Sequence, residues 1–238
     1  MMQKPKMSLT ETHHGGILVA FYKTLAEVCG KERGLEIFMT AARTYGARRG
    51  RRMALRALRD GNPLDVTSYF AYGELLCREE GLTDDGLFEA TRGTVHERQT
   101  DCWWTREFRA MGCSECGVDY CREIDGAIFH GFNPSLGFEC TQNMHLNGSC
   151  DFYFRSPEVD EDFMESYGKR LKPGQNVKRE MAYHCADVYQ MYRHIIGQAI
   201  PEQAGEVIKK VREMLAERYG EDFWPAVEAY DGTDFESI

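Results

Sequence analysis

Apolar residues recur every three to four positions over 16–29 and 32–58, with Gly30, Gly34 and Gly61 as punctuation. This spacing predicts two long helices. A third helical run, 64–78, follows Gly61-Asn62-Pro63. Residues 81–86, rich in glycine and aspartate, read as a loop, and 103–111 as a short helix ending at Gly112. The pattern then changes. Residues 127–132, 138–146 and 150–155 are aromatic-rich and alternate in polarity, which predicts strands. An acidic linker, 157–162, leads to amphipathic helices at 177–199 and 202–219, the second with Pro201 at its start, and to a short helix over 223–230.

The expected fold is therefore α+β. A small antiparallel sheet, with strands near 127–132, 137–146 and 150–155, is packed by helices from both ends of the chain. A flexible N-terminus (1–15) precedes a single domain (16–238). That domain is helical over 16–112, sheet-rich over 113–156 and helical again over 177–230.

Composition narrows the function. The chain has 238 residues, of which 42% are hydrophobic and 28% charged, as in a folded globular protein. A formal charge of −9 argues against general nucleic-acid or anionic-membrane partners. No apolar run is long enough to span a bilayer, and 17–22 is too short for a signal-peptide core, so the expected location is cytoplasmic. The partners expected are a small-molecule substrate and, left open, a second copy in a homo-oligomer.

Seven of the nine cysteines lie between Cys77 and Cys150. An odd number in a chain of this size points to reduced thiols rather than a disulfide scaffold. Cys113-x-x-Cys116 has the spacing of a zinc half-site or a redox pair, but no second half-site matches it. The expectation is no cofactor, with zinc on Cys113, Cys116 and Cys121 as the alternative. Cys121 and Asp125 share a face whether their segment is helical or extended.

The stretch HLNGSCDFYF carries Asn-Gly between two alternating runs, the strongest short hairpin signal. A two-residue loop at Asn147-Gly148 sets His145 opposite Cys150, on the face that also carries Asn143 and Glu139. An imidazole beside a thiol is the usual route to a thiolate nucleophile. A loop one residue longer would put the two on opposite faces. His184, inside a helix, reads as a core or surface histidine. The run ARRGRRMALRALRD is a basic block in an acidic chain. It reads as a solvated face paired with acidic neighbours, or as the source of an arginine that holds a substrate carboxylate.

Several stretches together resemble the L-2-amino-thiazoline-4-carboxylate hydrolase family. They are Cys102 to Gly112, YCREIDGAIFHGFNP, ECTQNMHLNGSCDFYF, AYHCADVYQMYRHI and ERYGEDFWPAVEAYDGTDF, covering most of the chain from Arg43 onward. The resemblance implies a hydrolase that opens a C–N bond of a small cyclic amidine. A thiazoline carboxylate would become N-carbamoyl-cysteine. The expected catalytic residues are Cys150, His145, Cys121, Asp125 and Glu139, attacking through a thiolate or a carboxylate-activated water. The expected substrate-binding residues are Cys102, His130, Asn133, Asn143 and Arg52. The segment from Glu139 to Cys150 also resembles the end of a 4-vinyl reductase type domain, which implies the alternative of a non-catalytic ligand or metal sensor. A helical interaction protein with structural cysteines is the third reading.

Overall fold

The computed structural model describes residues 7–165 and 177–238. Helix α1 (Glu11–Cys29) and the long α2 (Lys31–Arg59) open the chain, followed by α3 (Val66–Ala71) and the two-residue β1 (Leu75–Leu76). Then come β2 (Leu87–Thr91), β3 (Thr94–Gln99), α4 (Trp103–Ala110), α5 (Ser114–Phe132) and β4 (Gly137–Gln142). One helical turn, α6 (Met144–Asn147), leads to β5 (Cys150–Arg155). The C-terminal part holds β6 (Arg179–Glu180), α7 (Met181–Ala199), α8 (Pro201–Tyr219) and α9 (Phe223–Glu228). The mixed helix-and-sheet class is as the sequence indicates. The N-terminal helix starts earlier than expected, at Glu11, because Leu9, Glu11 and His14 are buried against the helical layer.

The sheet differs from expectation. It has four antiparallel strands in the order β2-β3-β5-β4, and β1 pairs in parallel with β6 separately. The hairpin β2-β3 was not expected. Arg92 and Gly93 make its turn, with Gly93 at φ +81°. Residues 127–132, expected as a strand, are the last turns of α5. Cys116, Tyr120, Ile124, Ile128 and Phe132 recur at helical spacing on its buried side, and burial on two sides overrides the strand propensity of Ile and Phe. The expected helix over 64–78 is only the six residues of α3, capped by Asp65, whose Oδ1 accepts from the Ser68 N–H at 2.8 Å.

Two cores result. A large helical core is built on α1, α2, α5, α7 and α8. A smaller aromatic core lies between the sheet and α3–α5, where Phe129 of α5 stands 5.3 Å from the Phe154 ring and 4.8 Å from the Tyr69 ring. Helix α5 belongs to both cores. It meets α2 almost backbone to backbone. A Cβ at Gly46 would lie 2.8 Å from that of Ala127, and one at Gly50 would overlap the Ile128 carbonyl oxygen.

The basic block is divided: Arg43, Arg51 and Arg59 are exposed and pair with Glu123, Glu236 and Asp60, as a solvated face would, whereas Arg49, Arg52 and Arg56 are buried. Arg52 and Arg56 are each 1% exposed, and Glu74 and Asp187 beside them 0%. Arg52 donates from Nε and Nη2 to Glu74 at 2.9 Å each, and its Nη2 lies 2.8 Å from Asp187. Arg52 is thus a structural ion-pair residue, and the expected substrate-binding role is corrected. Glu74 stays ionised. Burial works against it, but the Arg52 hydrogen bonds outweigh burial and hold its pKa at about 2.

Glycine inside an exposed helix usually costs about 0.5–1 kcal/mol relative to alanine. Gly50→Ala should do the reverse and destabilise by about 1–3 kcal/mol through overpacking. Gly205→Ala, in α8 with open space around it, should stabilise. Urea unfolding of both variants checks the opposite signs.

Candidate active site between α5 and the sheet

The inner face of the sheet alternates as a pleat requires. Glu97 and Gln99 of β3, Phe138 and Cys140 of β4, and Cys150, Phe152 and Phe154 of β5 fall on it. Above it, α5 presents Cys121, Asp125 and Phe129 at helical spacing. Cys102 adds a thiol from the N-cap of α4. Asp125, Cys121, Cys102, Cys140 and Glu97 are all half-buried, so solvent reaches this interior position. An open surface depression of about 300 Å³ lies elsewhere, lined by Tyr22, Lys23, Ala26, Lys31, Leu35 and Glu115, and contains none of these groups.

The electrostatics single out Asp125. Burial, and then the negative charge of Glu97, push its carboxyl up to about 7, against the pull of Arg49. Burial also raises Glu97, partly offset by the Gln99 amide, which donates to its Oε1 at 2.9 Å. Two carboxyls whose ionisations oppose each other can hold and release a proton near neutral pH.

The thiols behave in the opposite way to nucleophiles. Burial pushes Cys150 up to about 12 and Cys140 up to about 11, and lifts Cys121 well above the ordinary thiol value. Asp125 adds to the shift in each case. Cys102 is raised by burial too, although the Thr105 and Trp104 N–H groups of α4 oppose it. These thiols are protonated at pH 7.

The expected pairing of His145 with Cys150 does not form. Asn147 and Gly148 are not a two-residue hairpin loop. The Asn143 side chain caps α6, accepting from the His145 N–H at 2.9 Å, and Gly148, at φ +81°, ends that turn. A β-bulge between Cys140 and Gln142 shifts the register as well. The His145 ring turns to the helices, 3.3 Å from the Thr105 hydroxyl and 5.6 Å from the Phe108 ring centroid. Burial, then the charge of Arg109, lowers its pKa to about 4. Cys150 instead accepts from the Met144 N–H at 3.3 Å.

Glu139 is corrected too. It points to the outer face, exposed, with Arg155 Nη2 at 2.6 Å. Asn143 and Asn133 are tied to backbone. Asn143 donates to the Val118 carbonyl at 3.4 Å and Asn133 to that of Leu64 at 2.7 Å. His130 is exposed at the end of α5. Cys113 and Cys116 are buried at the start of α5, where a hydrogen bond from Cys116 lowers the Cys113 thiol. Cys121 lies five residues beyond Cys116, about 140° around the helix. Among the described residues no group of three or more His, Cys, Asp or Glu is arranged to hold a metal, nor is any helix long and apolar enough to cross a membrane.

The structure therefore brings Cys121, Asp125, Cys150 and Cys102 together, separates His145 and Glu139 from them, and adds Glu97, Gln99 and Cys140. The strand TVHERQ after Arg-Gly carried the signal for Glu97. The outer face holds a second polar network. Asp151 accepts from His96 Nε2, Arg98 Nε and the Ser149 hydroxyl at 2.8, 2.8 and 3.2 Å, and from the Gln142 amide. Burial opposes ionisation there, but the His96 and Arg98 bonds hold Asp151 below the usual carboxylate range.

Asp125 yields a stability prediction. Its folded pKa, about 7, exceeds the unfolded value near 3.9, so its favourable contribution is complete below about pH 4 and is lost as pH rises through 7. Asp125→Asn should raise the melting temperature at pH 8 and leave it unchanged or lower at pH 4. Calorimetry at the two pH values checks the crossover.

The family model described as L-2-amino-thiazoline-4-carboxylic acid hydrolase matches residues 11–154. No curated protein and no solved structure matches the chain. The match runs from the first residue of α1 into β5 and takes in every residue of the inner-face cluster. It begins ahead of Arg43, and the C-terminal stretches AYHCADVYQMYRHI and ERYGEDFWPAVEAYDGTDF lie beyond it. Covering more than half of the sequence, it shows that this chain belongs to the L-2-amino-thiazoline-4-carboxylic acid hydrolase family.

Proposed function

We propose that the protein hydrolyses a small cyclic amidine carboxylate of the 2-aminothiazoline-4-carboxylate kind, with a water activated by Asp125. The observation that carries this is a half-buried carboxyl held near neutral pKa by burial and Glu97, surrounded by thiols that are protonated. A general base works best when its pKa lies near the working pH. A thiolate route lacks its base, because His145 stands against Thr105 and Phe108.

Atom balance fixes which bond breaks. Asp125 takes a proton from water as the oxygen adds to the amidine carbon, and the C=N pair passes to the ring nitrogen. The tetrahedral carbon then collapses and expels the ring sulfur, which takes the proton from Asp125. The remaining hydroxyl proton goes to the ring nitrogen. An N-carbamoyl product keeps both nitrogens, so the bond cleaved is C–S, not the C–N bond that the cyclic amidine first suggests. In this reading Glu97 holds the amidine N–H groups, which carry positive charge when protonated.

The expected results follow from these roles. Turnover releases one free thiol per substrate and no ammonia, read with a thiol reagent and an ammonia assay; ammonia instead of thiol would sink the C–S assignment. Asp125→Asn lowers kcat by about 10²–10⁴-fold, whereas Cys121→Ser and Cys150→Ser keep most of it. For the wild type, kcat/KM rises with pH through about 7 and levels off, because the base must be ionised. Loss of activity in either serine variant with Asp125→Asn unaffected would replace the water route by a thiolate. Ligand binding without any turnover would favour the sensor reading.

A further inference from the structure

Cys113 and Cys116 take no part in the inner-face site. They sit in the helical core, at the start of α5, where Cys113 is the N-cap and Cys116 the third helical residue. Inside a continuous helix, residues three apart keep their Cβ atoms about 5–6 Å apart, wider than the about 3.5–4.5 Å that a disulfide spans. The N-cap escapes this limit. Its backbone, at φ −143° and ψ 55°, is not helical, and a side chain there can lie over the third helical residue. The Cys116 thiol accordingly donates to Cys113. Both cysteines are free, so the pair is a dithiol.

The two thiols are held unequally. The bond from Cys116 lowers Cys113 below the ordinary thiol value against the effect of burial, and the Cys116 N–H adds to it. Burial, and then Cys113, push Cys116 well above that value. One sulfur is prepared to attack and its neighbour to resolve. The residues are 1% and 0% exposed, but the cover is thin. Gly112, Ser114 and Glu115 around Cys113 are exposed, and Gly112, at φ +60°, has open space where a Cβ would stand. Glu115 also lines the surface depression between α1, α2 and α5, together with Lys23, whose Nζ donates to the Met111 carbonyl at 2.7 Å. Burial of this degree selects an oxidant little larger than water over a protein or a bulky disulfide.

We propose that Cys113 and Cys116 form a second reactive centre, a dithiol that a small peroxide such as hydrogen peroxide oxidises to a reversible disulfide. The Cys113 thiolate attacks one peroxide oxygen, the O–O bond breaks and hydroxide leaves, giving a sulfenic acid. The Cys116 sulfur then attacks that of Cys113, the S–O bond breaks, and the hydroxyl leaves as water with the Cys116 proton. Two thiols lose two electrons, and the peroxide is reduced to two waters. The new bond ties the N-cap to the turn that packs on α6, where a Cβ on Gly117 would overlap the His145 ring. This centre stands whether or not the inner face is a hydrolase site.

The test treats the full chain with hydrogen peroxide, alkylates the remaining thiols under denaturing conditions and maps the tryptic peptides. Cleavage after Arg109 and Arg122 yields residues 110–122, which hold Cys113, Cys116 and Cys121. The oxidised protein should show two fewer titratable thiols, with Cys121 the alkylated cysteine of that peptide, and a small dithiol reductant should restore both. Cys116→Ser should lose the bridge and leave a sulfenic acid on Cys113 that a cyclic diketone captures. Cys113→Ser, which keeps a good N-cap residue, should leave Cys116 unoxidised. Three alkylated thiols in the peptide after oxidation, a bridge that includes Cys121, or Cys113 driven to the sulfinic acid with Cys116 still free would overturn the proposal. So would oxidation of the exposed Cys77, whose thiol is pushed up to about 12, ahead of the pair. The wild-type peptide map decides the matter even where a serine variant fails to fold.

Discussion

The close contact of α2 with α5 is the constraint on which the rest depends. Gly46 and Gly50 on one helix and Gly131 on the other leave no room for side chains, so backbone meets side-chain carbon and carbonyl directly. Packing at this distance admits little sliding or rotation. The position of α5 decides where Cys121, Asp125 and Phe129 stand over the sheet. One seam therefore fixes the helical wall of the candidate site.

Buried charge supplies the second level of order. Glu74 and Asp187 come from a loop after α3 and from α7, and both converge on arginines of α2. A buried ion pair contributes little net stability against a well-packed apolar alternative. Removing one partner costs about 3–5 kcal/mol, because the other charge is stranded. The cluster therefore penalises any arrangement in which α7 or the α3–β1 connection docks elsewhere. Across the sheet, Asp151 does a similar thing for β3, β4 and β5 by taking donors from each of these strands or its flank.

The long helices were legible because their apolar residues recur at the helical period. The shared face of Cys121 and Asp125 was legible because spacing of four holds on a helix and on a strand alike. The hairpin β2-β3 was not read, since its inner face carries Glu97 and Gln99 where a pleat would normally bury apolar side chains. That departure is what makes the strand chemically interesting. Asn147-Gly148 misled because a left-handed glycine closes a helical turn as readily as it closes a hairpin, and the choice depends on Asn143, four residues upstream. The fate of the arginines was invisible. Glu74 lies 22 residues beyond Arg52, and Asp187 belongs to a helix near the other end of the chain. Only the folded chain shows that Arg52 is engaged by both carboxylates.

The glycine seam also has an evolutionary consequence. A wall made of two helices in backbone contact cannot accept a larger residue at the seam without moving the wall, so that half of the site is closed to gradual change. The other half is a pleated surface, where Glu97, Gln99, Cys140 and Cys150 each extend from strands held by their own hydrogen bonds. Exchanging any of them alters the lining without disturbing the frame. Divergence toward new ring systems would proceed strand by strand, while α2 and α5 stay fixed.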